Sequence, residues 1–102
     1  MLLDRKEITV IRNAMINVID ELQGEELSTR TGYEKEEIME LHDRIISSNK
    51  LSKTNDLLIA NQVLNEICNG YIVKKFEHTI GENKDFVIGL LEKINPHIQK
   101  LT

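Results

Sequence analysis

The chain carries an internal repeat. Shifted by 49 positions, residues 8–45 lie over residues 57–94 without a gap. Gly32 meets Gly81, Lys35 meets Lys84, Leu41 meets Leu90 and Ile45 meets Ile94. Four identities in 38 pairs are too few to argue descent, so the apolar positions carry the argument. Ile8 falls on Leu57, Val10 on Ile59, Met15 on Leu64, Val18 on Ile67, Leu27 on Phe76 and Ile38 on Val87. A shared apolar pattern fixes which faces are buried and therefore predicts a shared shape. Charges keep the register too: Asp43 lies over Glu92 and Arg44 over Lys93. One helical unit is written twice, in residues 1–50 and 51–102.

The recurrence of apolar residues at three and four predicts helices. A first helix spans about Asp4 to Leu22, with Asp4 and Glu7 spaced as a capping box. A short turn from Glu25 to Thr31 ends at Gly32, a residue suited to the left-handed conformation after a helix. A third segment, about 34–48, carries the stripe Ile38, Leu41, Ile45. Ser47 to Lys50 is a polar break between the units. The second unit opens with Thr54 or Asn55 as N-cap. Its first helix is expected over 56–69, with Gly70 as its stop. Tyr71-Ile72-Val73 reads as an extended link and Lys74 to Ile80 as the second short turn, closed by Gly81. A last helix spans about 83–94, and Pro96 disfavours helix at Asn95. Ile98 and Leu101 are expected to pin a final turn. The fold class is all-α: about four main helices plus short helical turns, in two pseudo-repeats. A unit alone would expose its stripes, so each must pack on the other or on a second chain.

A chain of 102 residues is the size of a single domain. Only four aromatics are present, so Ile, Leu, Val and Met must build the core. The single cysteine, Cys68, sits in the stripe of Leu64 and Ile67 and reads as a small buried hydrophobe. The opening MLLDRKEITV lacks the apolar segment of a leader, and the longest apolar run is Leu57 to Ala60. These features lead us to expect a cytoplasmic protein with no membrane partner.

Charge is unevenly placed. Residues 1–50 hold 11 acids and 7 bases, whereas residues 51–102 hold 6 of each. Between Asp20 and Asp43 there are nine acids and two bases. Such a run is either a solvated face or a docking surface that steers a basic partner. The expected contact residues are Glu25, Glu26, Glu34, Glu36, Glu37, Glu40 and Asp43, with Tyr33 as an apolar anchor among them.

No catalytic, cofactor or metal signature is present. Glu-x-x-His, which a di-metal helical site needs, does not occur, and His42, His78 and His97 are scattered. No glycine-rich phosphate loop is found. Lys74 and Lys75 are too few for extensive phosphate binding. We therefore expect no enzyme activity, no cofactor and no metal.

The segment LSTRTGYEKEEIMELHDRI resembles a bacterial helix-turn-helix, which would imply DNA binding. Its charge opposes that: the second helix sets Glu36, Glu37, Glu40 and Asp43 against Lys35 and Arg44, and phosphates repel acids. LNEICNG, followed by Phe76 and Gly81, resembles a pattern in small bacterial helical proteins. In size, acidity and lack of a catalytic motif the chain resembles the immunity proteins of bacterial toxin systems, including contact-dependent inhibition. That resemblance implies a non-catalytic antitoxin that occludes a cognate basic, nuclease-type toxin through an acidic surface. The alternatives are a helix-turn-helix regulator and a helical subunit that associates with a second copy of itself.

Overall fold

A computed structural model describes residues 1–99. Among them the chain forms α1 (Arg5–Glu21), α2 (Glu25–Thr31), α3 (Lys35–Ser48), α4 (Thr54–Asn65), α5 (Phe76–Ile80) and α6 (Lys84–Gln99). A π-helical turn, Glu66–Gly70, continues α4. There is no strand among the described residues, only an isolated bridge between Leu2 and Lys50 that ties the amino-terminal segment to the link between the units. The fold is all-α.

Local chemistry sets most helix ends. Asp4 accepts from the Glu7 N–H at 2.8 Å while Glu7 Oε1 accepts from the Asp4 N–H at 3.0 Å, a complete capping box. Gly32 (φ 82°) and Gly81 (φ 105°) close α2 and α5 in the left-handed conformation, where a Cβ would be strained.

The 49-residue register holds at the level of elements. α1 starts at Arg5 and α4 at Thr54; α3 starts at Lys35 and α6 at Lys84. Both units order a long helix, a short helix closed by glycine and a third helix. They share one core, with Ile11, Met15, Ile38, Leu41 and Ile45 packed together with Ile59, Leu64, Ile67, Leu90 and Ile94. α1 and α4 lie against each other at its centre, and each short helix packs on the first helix of the other unit.

Polar contacts between the units repeat the same reciprocity. Glu7, 4% exposed, accepts from Lys93 at 2.6 Å, and Asp56, 2% exposed, pairs with Arg44. Glu7 is equivalent to Asp56 and Arg44 to Lys93, so each unit gives its acid to the other's base. Asn13 donates to the Ile80 carbonyl (2.9 Å), and its equivalent Gln62 donates to the Arg30 carbonyl (3.3 Å). Buried carboxylates would be costly without these cations.

Three expectations are corrected. α4 begins at Thr54 rather than 56, capped by the Lys53 backbone with no side-chain bond. Its continuation to Gly70 changes to π geometry after Asn65, because Arg30 of α2 draws in the Gly70 carbonyl and Glu66 occupies the space beside that glycine. α6 runs through Pro96 to Gln99 instead of ending near Ile94. Proline removes one N–H, whose acceptor would be the carbonyl of the exposed Glu92, where water can replace it; Ile98 packs on the core and offsets the loss. Ile98 thus meets expectation, whereas Leu101 lies outside the described residues.

Candidate protein-docking surface

The acid-rich segment occupies the end of α1, all of α2 and most of α3. Glu25, Glu26, Glu34, Glu36, Glu37, Glu40 and Asp43 are all exposed. Tyr33 among them is half-buried, packed in part against the core, and its backbone N–H donates to Thr31 Oγ1 (3.1 Å). Burial pushes the Tyr33 phenol pKa up, and the Glu37 carboxylate adds to the shift.

The acids divide by what already holds them. Glu26 pairs with Arg30 at 3.5 Å, Glu37 accepts from the Glu34 N–H at 3.1 Å, and Asp43 lies 3.2 Å from His42 Nδ1. Glu25, Glu36 and Glu40 have no ion-pair partner among the described residues.

Three elements meet to form a groove of ≈ 600 Å³. The end of α1 supplies Ile19, Asp20 and Leu22; the start of α2 supplies Glu25, Leu27 and Ser28; the start of α3 supplies Lys35 and Glu36, preceded by Glu34. Its floor is apolar. Its walls carry four carboxylates against one lysine. Of the eight residues expected from the sequence, Glu25, Glu34 and Glu36 line the groove; Asp20 joins them, and the other five lie outside it.

The second unit builds the same groove again, ≈ 660 Å³ in volume. Nine of its ten lining residues are the 49-residue equivalents of residues lining the first. Its chemistry differs. Asp20 becomes Asn69, Glu34 becomes Asn83, Leu22 becomes Tyr71 and Leu27 becomes Phe76, while Lys35 is kept as Lys84. Glu25 and Glu26 of α2 correspond to Lys74 and Lys75. At its edge, Asn83 Oδ1 accepts from the Phe86 N–H at 2.9 Å and so caps α6. Lys84 Nζ lies 5.8 Å from the Phe76 ring centre. Cys68 is buried with the core, and that burial pushes its thiol pKa up, with Lys84 opposing.

At the second groove, whose lining includes Gly70 and Tyr71, lies a polar hub that sequence reasoning missed. Arg30 Nη2 donates to Glu66 Oε2 at 3.0 Å and to the Gly70 carbonyl, and its guanidinium lies 6.0 Å from the Tyr71 ring centre. Tyr71 Oη donates to Asn17 Oδ1 at 2.6 Å. Burial pushes the Tyr71 phenol well above its ordinary value, with Glu21 and Glu66 adding and Arg30 opposing.

Protein-family models, curated proteins and solved structures provide no match to this chain. The helix-turn-helix-like segment does form two helices around Gly32, but the exposed face of the second carries Glu36, Glu37, Glu40 and Asp43. His42 is buried, and His78 and His97 are exposed on separate elements. No helix among the described residues is long and apolar enough to cross a membrane.

Proposed function

We propose that this chain is a non-catalytic binding module of the cytoplasm, an immunity protein or antitoxin that occludes a basic, nuclease-type toxin through the acidic face of its first unit. The observation that carries this reading is the contrast between the two grooves. Nine lining positions are equivalent, yet the second holds its shape with Asn69 and Asn83 where the first has Asp20 and Glu34. The fold therefore does not require these acids. Acids concentrated on one surface, several without internal partners, suit a cationic protein, because they accelerate encounter and disfavour nucleic acid.

The test transplants the second groove's residues into the first: Asp20→Asn, Glu25→Lys and Glu34→Asn together. Asn already stands at the positions equivalent to Asp20 and Glu34 in the other unit, and Glu25 is exposed with no ion-pair partner among the described residues, so the fold should be retained by circular dichroism and urea titration. The wild-type chain, used as bait in a lysate expressing its neighbouring genes, should retain one stoichiometric basic protein. Salt should release it, and co-expression should relieve its toxicity. The triple variant should lose both effects. Equal retention by the folded variant at low salt would refute the assignment, as would failure of the wild-type chain to retain a basic protein.

A further inference from the structure

The second groove is the less charged of the pair and the more apolar. Ile72 stands at its mouth, 92% exposed, where the first unit has Gln23. Phe76 and Val73 lie beneath, half-buried. On α6, Ile88 lies one turn beyond Lys84 on the same face and is 43% exposed, which extends the apolar surface past the groove. An almost fully exposed isoleucine beside an apolar cleft leaves a surface that gains free energy when covered.

Charge selects the occupant. The groove lining contains one acid, Glu77, and one base, Lys84. In a twofold contact residue i of one copy meets residue j of the other, and j meets i. A lining with one charge of each sign is thus complementary to itself: Glu77 can stand against Lys84 of the second copy, twice. The first groove cannot serve in this way, because four carboxylates against one lysine repel their own image. We propose that the second-unit groove is the contact through which two copies of this chain associate, each inserting Ile72 over the Phe76 floor of the other. This contact is independent of the acidic face, which stays open in both copies.

Sedimentation equilibrium of the full chain across a concentration series tests it. We expect the mass to rise from one chain to two and to stop there. Ile72→Lys should weaken association by about tenfold or more, since it replaces the apolar side chain that each copy inserts with a charge. The side chain is exposed, so the variant should fold normally. Glu77→Lys and Lys84→Glu should each weaken the dimer, and the double variant should restore it. A single chain at the highest soluble concentration would overturn the proposal. So would a dimer indifferent to Ile72→Lys, or an open series of larger assemblies. The Asp20, Glu25 and Glu34 triple variant should dimerise as the wild type does, so failure of the docking reading and failure of this one are separable.

Discussion

Gly70→Ala probes the hub that locks the two units together. A Cβ at this position would overlap the Glu66 carboxylate and lie 2.7 Å from Arg30 Nη2. Both atoms are ends of flexible side chains, so the backbone can stay where it is. What is lost is the Arg30–Glu66 pair, together with the alignment of Arg30 on the Gly70 carbonyl. Breaking a buried ion pair costs about 3–5 kcal/mol. Glu66 is buried, but the Arg30 side chain keeps 32% exposure, and solvent screening reduces the cost to about 2–3 kcal/mol. Alanine in place of a helical glycine returns about 0.5–1 kcal/mol. The net expectation is destabilisation by about 1–2.5 kcal/mol, read as a lower urea midpoint with an unchanged slope. Glu66→Ala provides the control, since it removes the pair beforehand and clears the overlapping carboxylate. In that background Gly70→Ala should become neutral or stabilise by up to about 1 kcal/mol. A Gly70→Ala chain as stable as the wild type would refute the argument.

Three further outcomes follow from the same geometry. Gly32→Ala should cost about 1 kcal/mol for the left-handed backbone, and Gly81→Ala should cost more, because its Cβ would also meet Thr9 Cγ2 at 3.3 Å and Asn13 Nδ2 at 3.4 Å whereas Gly32 faces open space; paired urea titrations compare them. His42→Leu copies Leu91 of the second unit and removes a buried Nε2 that has no hydrogen-bond partner among the described residues, so thermal unfolding should show a gain of up to about 1 kcal/mol. Tyr71 is neutral in the fold above the pH, about 10, at which an unfolded tyrosine ionises, so its stabilisation is full below that pH and is lost as pH rises toward the elevated folded value; Tyr71→Phe should flatten this alkaline decline while costing about 1 kcal/mol at neutral pH through the lost Asn17 bond.

Much of the fold was legible because its signals are local. Asp4 and Glu7 are three residues apart and cap α1 as their spacing predicts. Gly32 and Gly81 end their helices because only glycine adopts that backbone freely. The candidate docking surface was legible only as a stretch of chain. Asp20 to Asp43 was recognisably acidic, but which acids share a groove depends on how α1, α2 and α3 converge, and so does the half-burial of Tyr33 against the core. α4 and α6 were misjudged at their ends for the same kind of reason. Arg30, 40 residues from Gly70, reshapes the end of one, and Ile98 carries the other past Pro96 by packing on the core.

The sequence alone determined that this protein is helical, that its architecture is written twice in a 49-residue register, and that one half carries the acid. Periodicity, capping and glycine placement act within a few residues, so each element bears its own signal. Tertiary structure alone decided that the units share one core, exchange ion pairs between Glu7 and Lys93 and between Arg44 and Asp56, and present two equivalent grooves of different chemistry. Glu7 and Lys93 are 86 residues apart, and no local pattern pairs them. Their meeting follows from packing both α1 and α6 against α4, which buries the apolar stripes of both units together.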